Sequence, residues 1–442
     1  MDKDLIQGNI TKSLILFSIP LIIGNLLQQL YNIIDTFIVG QYLGSQALAA
    51  VGSSFTLMTF LTSIILGLCM GSGVLFSMLY GAGEIDKMKI SFFVSFVSIG
   101  ILSIIIEIMC LCFIDPILHF LNIPMAVYQQ TYQYLIIVFV GIIFTFLFNY
   151  LSSLLRALGD SRTPLYFLAI SAIINIVLDI VLITSFHMNT DGAALATVMA
   201  QGIAAVLLTY YVYHKEKSLL PQKQHFVFDQ DIFKKIQSFS LLTCLQQSIM
   251  NFGILMIQGL VNSFGVVTMS AFTVAVKIDS FAYMPVQDFG NAFSTFIAQN
   301  QGAMKKERIQ QGLKKAFIIS SLFCLLISVI VYFQSDQLMS IFIDQSERAI
   351  IDQGVQYLRI EGACYIGIGW LFLLYGYYRG IGQPGMSVIL TIASLGTRVL
   401  LSYSLAYHLG VTIIWWSIPI GWFLADIIGM SYGFYKEKWR IS

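Results

Sequence analysis

Four oxygen-bearing side chains fall at a similar predicted depth in one half of the chain and could bind a cation together. Asp35 lies near the outer end of the first long apolar run, and Asp179 lies in the outer half of the fifth. Asn175 is four residues before Asp179, on the same helix face, and Thr197 follows in the sixth run. Carboxylate, amide and hydroxyl oxygens suit a hard cation such as Na⁺, or a proton relay. The alternative is a satisfied polar cluster that only holds helices together.

Composition places these residues in a membrane. Charged residues make up 11% of the chain and hydrophobic residues 57%, whereas soluble domains carry roughly 25% charged residues. A spanning helix needs about 20 mostly apolar residues. We therefore predict an all-α integral membrane protein with twelve transmembrane helices, at residues 14–39, 55–79, 90–113, 134–155, 165–186, 193–213, 239–264, 272–297, 316–333, 363–378, 386–407 and 411–435.

The distribution of positive charge supports this helix count. With both termini in the cytoplasm, all but four of the 24 Lys and Arg residues fall on the cytoplasmic side. The exceptions are Arg348 and Arg359 in outer loops, and Lys277 and Arg398 within spans. Basic loops mark the cytoplasmic side of membrane proteins, so a miscounted span would destroy the bias. We expect a multi-pass protein of the bacterial plasma (inner) membrane.

The chain resembles two copies of one six-helix design. Landmarks recur in the same order in both halves, such as the stretches that begin at Leu155 and Tyr378. Such a repeat predicts two six-helix lobes related by pseudo-two-fold symmetry along the membrane normal, with alternating access. The expected parts are an N-terminal lobe at 1–218, a cytoplasmic interlobe linker at 219–238 and a C-terminal lobe at 239–442. The sequence has no nucleotide-binding P-loop pattern. The energy for transport must therefore come from an ion gradient, or transport is passive.

The other charges within spans favour a structural interpretation. Glu107 has no obvious partner, and Glu361 is expected at the membrane interface. Lys277 and Asp279 are two residues apart, so they point to different faces of their helix. Arg398 occupies in the second half the position that Asn175 has in the first. We therefore expect only the first half to keep the candidate cation site.

On these residues the chain resembles the multidrug and toxic compound extrusion (MATE) family. The stretch from Pro20 to Gly40, with Asp35 near its end, is similar to the first helix of that family. The stretches Arg156–Asp160, Asn175–Asp179 and Asp191–Thr197 are similar to its fourth, fifth and sixth helices and their ends. The resemblance covers essentially the whole chain, and it is closest to the branch with an aspartate in the first helix.

The resemblance implies a secondary active multidrug efflux antiporter, which exports organic cations or amphipathic compounds in exchange for H⁺ or Na⁺. It implies no enzymatic activity and no cofactor besides the coupling ion. The partners that we expect are small organic substrates and membrane lipid, without nucleic acid, and the expected state is a monomer. The resemblance gives the coupling role to Asp35, Asn175, Asp179 and Thr197, and we assign Tyr31 and Asn149 to the substrate cavity.

Two alternatives remain open at this point. A lipid-linked precursor flippase of the same superfamily would need several basic residues in its cavity to hold phosphate, whereas only Lys277 and Arg398 lie within spans. A membrane-embedded enzyme or receptor is the second alternative. The internal repeat argues against it, and so does the lack of a His and Glu metal constellation among only five His.

Overall fold

The computed structural model describes residues 5–121 and 123–436. These residues form helices and no strand, as expected where a bilayer requires backbone groups to pair within their own segment. The helices of the first half are α1 (Ile10–Gly81), α2 (Ile85–Cys112), α3 (Ile114–Phe120), α4 (Met125–Val140), α5 (Ile142–Ala157), α6 (Arg162–Ile180) and α7 (Thr190–Lys215). Those of the second half are α8 (Gln230–Asn262), α9 (Val266–Gly302), α10 (Lys306–Ser340), α11 (Arg348–Ala363), α12 (Tyr365–Gly380), α13 (Pro384–Leu409) and α14 (Thr412–Lys436).

Helix length and hydropathy account for twelve membrane crossings. Nine helices in the described residues are long and apolar enough to cross a membrane, and the bent pairs α4–α5 and α11–α12 each add a crossing. The helix α1 has 72 residues. At 1.5 Å per residue it is about 108 Å long, more than three times the thickness of a hydrocarbon core of about 30 Å. It therefore contains two spans, and the predicted all-α, twelve-helix architecture is confirmed.

A glycine divides α1 into these two spans. Gly44 has φ +83° and ψ −175° within the helix, a backbone conformation that side chains with a Cβ rarely adopt. A Cβ added there would meet no atom within 4 Å. The backbone conformation, rather than a lack of space, therefore requires glycine. The helix that carries Asp35 ends at this break.

The second half repeats the turns of the first, as the sequence landmarks predict. Both bent pairs break at equivalent positions, with bends of 44° for α4–α5 and 53° for α11–α12. Left-handed residues also occur in equivalent pairs, namely Gly44 with Gly265, Gly83 with Met304, Gly159 with Gly382 and His187 with Gly410. The two halves thus share one six-helix design down to the conformation of single turn residues.

The tenth span starts earlier than predicted. The sequence placed its start at Ala363, whereas the span begins with α11 at Arg348 and bends after Ala363. Polar residues lower the mean hydropathy of α11, but two of them, Tyr357 and Glu361, are buried inside the protein, with 2% and 1% of their surface exposed. The predicted start was wrong because hydropathy cannot distinguish a polar face buried in protein from one in water.

The chain forms two compact units. The start of α1 belongs to the second unit, and the start of α8 belongs to the first. The first unit comprises Ile19–Cys244, and the second joins the stretch that ends at Ser18 to the chain from Leu245 onward. The linker and the first half of α8 therefore belong to the first unit. The lobe boundaries expected at residues 218 and 239 stay a prediction.

Aromatic packing and close helix contacts hold the first unit together. The hydroxyl of the buried Tyr150 donates to the Phe92 carbonyl oxygen at 2.7 Å and lies 2.7 Å from Ser95 Oγ. At the start of α8, Ser240 Oγ donates to the Leu68 carbonyl oxygen of α1 at 2.9 Å. A Cβ at Gly71 would meet the backbone of Ser240, so glycine allows this close approach.

In the second unit, α9 and α12 meet at two glycines. A Cβ on Gly376 would meet the carbonyl oxygen of Gly290, and a Cβ on Gly290 would lie 2.7 Å from the carbonyl oxygen of Phe372. Small residues at such contacts let helix backbones approach closely, which is the main source of van der Waals attraction between helices in a membrane. The α9–α12 contact therefore depends on the absence of side chains at both positions.

Replacing Gly376 by Ala should destabilise the protein, because the added methyl group must separate α9 from α12. Overpacking of this kind costs typically about 1–3 kcal/mol. The matched control is Gly396→Ala on α13, where an added Cβ meets nothing within 4 Å and Ala favours a helix. Thermal unfolding in detergent should give a lower Tm for Gly376→Ala and an unchanged or higher Tm for Gly396→Ala. Equal Tm values for the two variants would contradict the close contact.

Candidate cation-coupling site

The first residue of the site, Asp35, belongs to the span of α1 that lies between Pro20 and the break at Gly44. Its side chain is half-buried. The helical pitch places Tyr31 one turn before it on the same face. Proline lacks the backbone N–H that would continue the hydrogen-bond ladder, so Pro20 gives this helix a defined point of bending.

Two residues of the site come from α6. The helical period places Asn175 and Asp179 on one face, and 3% and 0% of their surfaces are exposed. On other faces of α6, Ile173 and Val177 are exposed by 64% and 53%, as expected of side chains in contact with lipid. The faces of α6 are therefore reversed relative to a helix of a soluble protein: these apolar side chains are exposed, and Asp179 is buried inside the unit.

The fourth residue, Thr197, lies on α7 beside Asn175. The Asn175 Nδ2 atom donates a hydrogen bond to Thr197 Oγ1 at 3.4 Å. Around Thr197, α7 presents alanines with 0% or 1% of their surface exposed, which lets helices pack closely; these are Ala193, Ala194, Ala196 and Ala200. Small neighbours thus bring the hydroxyl of α7 next to the amide of α6.

The carboxyl groups of Asp35 and Asp179 lie close enough to interact directly. Asp179 Oδ1 and Oδ2, Asp35 Oδ1 and Asn175 Oδ1 are all buried and receive no hydrogen bond. Two neighbouring carboxylates repel each other strongly where water is excluded, and each loses its hydration. The arrangement is therefore stable only when a positive species neutralises at least one carboxylate.

The side chains present fit a monovalent cation. A proton can be shared between the two carboxyl groups, and the four acceptor oxygens without donors are the type of ligand that Na⁺ takes. One of the four is the neutral amide oxygen of Asn175, whose Nδ2 atom bonds Thr197 Oγ1. The structure thus brings together all four residues that the sequence assigned to cation coupling: Asp35, Asn175, Asp179 and Thr197.

Two tyrosines border the carboxyl pair, and of these the sequence indicated only Tyr31, as a residue of the substrate cavity. Tyr31 lies near Asp35, as expected for residues one turn apart. Tyr134 of α4 is buried, with 8% of its surface exposed, and lies near both aspartates. The internal repeat could have identified this residue, because Tyr134 is the counterpart of Tyr357, which neighbours acids in the second unit.

Asn149, assigned to the substrate cavity, lies half-buried on α5. Its Nδ2 atom donates to the Thr145 carbonyl oxygen at 2.8 Å, and Thr145 Oγ1 donates to Gln201 Oε1 at 2.7 Å. These bonds place Asn149 beside a polar contact between α5 and α7. Its role in the substrate cavity, like that of Tyr31, stays a prediction.

The second unit has a polar cluster of its own, built from residues that the sequence treated as structural. Asp279 of α9 and Glu361 of α11 are 4% and 1% exposed, and their carboxyl groups lie close enough to interact. The positive charge of Arg398 acts on both acids through space. The second acid pair thus has the permanent positive charge of Arg398 nearby, whereas the first unit has the neutral Asn175 at the equivalent position.

Two other charged residues of the spans, Lys277 and Glu107, are more exposed than the acids of the second unit's cluster. Lys277 is exposed whereas Asp279 is buried, in agreement with the different helix faces expected from their spacing. Glu107 is half-buried on α2, near the backbone of Ile143. Glu107 therefore provides an in-membrane carboxyl group of the first unit outside the Asp35–Asp179 pair.

Comparison with known proteins agrees with the fold. The MatE family model matches residues 20–181 and 241–404, most of both halves. The probable multidrug resistance protein YpnP of Bacillus subtilis is 32% identical over 88% of this chain and 87% of its own length. The multidrug export protein MepA of Staphylococcus aureus (strain N315) is 25% identical over 96% of this chain and 93% of its own length.

Solved structures show the same architecture. A multidrug resistance MATE family transporter of the MOP superfamily, in an outward-facing conformation, matches with a TM-score of 0.91 and 23% identity over 98% of this chain and 97% of that protein. A MOP superfamily transporter from Pyrococcus furiosus matches with the same score. The family match, the twelve-helix fold and the relatives agree: the chain is a membrane transporter, not an enzyme, and belongs to the MATE family.

Proposed function

We propose that this transporter is a secondary active multidrug efflux antiporter, which exports organic cations or amphipathic compounds in exchange for H⁺ or Na⁺. The observation that carries the proposal is the buried carboxyl pair of Asp35 and Asp179, which no Lys or Arg of the described residues neutralises. Relatives named as multidrug resistance and export proteins support the substrate class. Asn175 and Thr197 complete the proposed ion site.

The proposed mechanism uses ion binding to control the contact between α1 and α6. An ion between Asp35 and Asp179 removes their repulsion and stabilises α1 against α6. Loss of the ion restores the repulsion, and α1 then moves away by bending at Pro20. An ion can shift a conformational equilibrium only by binding one state more tightly, and this contact gives the two states different affinities. A substrate that favours the opposite state then exchanges with the ion.

The setting that we propose follows from the charge distribution and the family. The protein would function in the bacterial plasma membrane with both ends in the cytoplasm, as a monomer surrounded by lipid.

Imposed gradients in liposomes test the proposed antiport directly. Purified protein should move a fluorescent organic cation such as ethidium against its gradient when a Na⁺ or H⁺ gradient is applied in the opposite direction. Absence of gradient-driven movement for every organic cation tried would contradict the proposal.

The Asp35→Asn variant should lose gradient-driven transport while it still inserts and folds. The substitution keeps the size of the side chain but removes one of the two charges that attract the ion. The matched control is Glu107→Gln, which neutralises an acid of the same unit outside the pair and should transport as the wild type does. Transport is measured in liposomes, and folding by size-exclusion chromatography. Normal pumping by Asp35→Asn would show that the ion binds elsewhere.

The Asn175→Ala variant should retain transport but need more ion. It removes one buried oxygen from the site and the hydrogen bond to Thr197. Hydrogen bonds to charged groups contribute about 1.5–3 kcal/mol, so the coupling-ion concentration for half-maximal transport should rise by about tenfold or more. Titrating the transport rate with Na⁺ at fixed pH, and with pH at fixed Na⁺, also identifies the ion. An unchanged half-maximal concentration for both ions would exclude Asn175 from the site.

A further inference from the structure

The short segment Leu5–Gly8, which precedes α1, is bound to the second unit through its backbone. We call this segment the strap. The backbone N–H of Leu5 donates to Gln299 Oε1 at 3.1 Å, and the Leu5 carbonyl oxygen accepts from Asn300 Nδ2 at 3.3 Å. The Ile6 carbonyl oxygen accepts from Lys305 Nζ at 2.8 Å. These donors and acceptors come from the end of α9 and the turn between α9 and α10.

Arg308 is the centre of these contacts. Its Nη2 atom donates to the carbonyl oxygens of Leu5 at 3.0 Å and Gln7 at 2.6 Å, its Nη1 atom to that of Gly8 at 2.8 Å, and its Nε atom to that of Leu5 at 3.2 Å. Hydrogen bonds from an ionised donor are about twice as strong as neutral ones. A single guanidinium thus gathers three carbonyl groups of the strap.

The conformation of the strap depends on Gly8. Gly8 has φ +72°, a left-handed conformation that is strained for a residue with a Cβ. The other left-handed residues form four pairs between the two halves, whereas Gly8 has no such counterpart among the described residues. This turn brings the Gly8 carbonyl oxygen to the same guanidinium as those of Leu5 and Gln7. The strap is therefore a feature added to the repeat.

The position of Arg308 is explained by the strap. Arg308 lies in the first turn of α10, where the positive end of the helix dipole disfavours a cation. At the equivalent turn of the first unit, Lys87 pairs with Glu84 at 3.0 Å. In the second unit Lys305 replaces that glutamate, and with Lys306 the turn presents three cations. Two of them, Lys305 and Arg308, bind carbonyl oxygens of the strap.

The strap continues into a helix start that packs with the second unit. Asn9 Oδ1 accepts a hydrogen bond from the Lys12 N–H and caps α1. The next residues bury Ile10, Leu14 and Phe17 at helical spacing, with 4%, 0% and 4% of their surfaces exposed. The chain passes into the first unit after Ser18, just before Pro20. The helix that carries Asp35 is thus attached at its start to the second unit.

The first unit holds the start of α8 in a similar way. His225 Nε2 lies 3.1 Å from Asp86 Oδ1 of α2. Because His225 Nδ1 accepts a hydrogen bond from the Gln222 N–H, the ring proton is on Nε2, which donates a hydrogen bond to Asp86. The Phe226 ring packs on Phe93 with centroids 4.9 Å apart. Each unit therefore anchors, at equivalent turns, the segment that leads into the first helix of the other.

We propose that the strap is a mechanical connection, in which Arg308 holds the start of α1 on the second unit so that movement of that unit is transmitted along α1 to Asp35. This inference rests on the proposed function, because it gives the movement of α1 a role in coupling. The contacts are made to backbone carbonyls, so they depend on Arg308 and on the turn at Gly8 rather than on the side chains of the strap. Arg308 is a positioning residue that acts through the strap.

Two variants weaken the strap in different ways. Arg308→Gln removes the guanidinium, and Gly8→Ala strains the turn without changing Arg308. The matched control is Lys306→Gln, an exposed lysine two residues from Arg308. Hydrogen–deuterium exchange of residues 5–18 should accelerate at least tenfold in both test variants and stay unchanged in the control. Gradient-driven transport of ethidium should fall about fivefold or more in the test variants only, while equilibrium binding of ethidium stays as in the wild type.

The outcomes separate the strap from the proposed function. Unchanged exchange in both test variants would show that Arg308 does not hold the segment. Faster exchange with wild-type transport would show that the strap has no part in coupling. Either result would overturn the inference. Absence of transport in the wild type and in Lys306→Gln would count against the proposed function, and the exchange measurement would still decide whether Arg308 holds the strap.

Discussion

Two carboxyl groups buried against each other impose the main physical constraint on this protein. Asp35 and Asp179 come from different helices, and neither is neutralised by a basic residue of the described chain. Desolvation and mutual repulsion make such a pair unfavourable unless a positive species joins it. Because that species is not part of the chain, the stability of the α1–α6 contact depends on what the surrounding solution supplies. In the proposed mechanism, an ion gradient performs mechanical work at this contact.

The internal repeat shows where the two units differ around their acid pairs. Both units have the same turns, the same bent pair and an acid pair beside an equivalent tyrosine, Tyr134 or Tyr357. They differ where Asn175 of the first unit is replaced by Arg398 in the second. The guanidinium provides a permanent positive charge near Asp279 and Glu361, whereas the first unit provides only neutral groups. In the proposed mechanism this difference assigns ion exchange to the first unit.

The sequence predicted those features that depend on local spacing and on average polarity. Twelve apolar runs gave the architecture, and helical periodicity with a common depth grouped Asp35, Asn175, Asp179 and Thr197. Features that depend on contacts between distant segments were missed. Tyr134 resembles any other tyrosine in an apolar run until the fold brings it near Asp35 and Asp179. The start of α11 was missed because buried Tyr357 and Glu361 lower its hydropathy as water-exposed residues would. The exchange of helix starts between units rests on contacts between segments far apart in the chain, such as Arg308 with the strap and His225 with Asp86, which leave no pattern in the sequence.

The most direct test of coupling uses a gradient of organic cation to drive the movement of the coupling ion. Liposomes that contain purified protein and a gradient of organic cation, with no initial ion gradient, are monitored for movement of ²²Na⁺ and of protons. Coupling at the carboxyl pair predicts that the organic cation drives one of these ions in the opposite direction at a fixed ratio, and that Asp179→Asn abolishes the ion movement. Ion movement that is absent in the wild type, or that persists in Asp179→Asn, would contradict it.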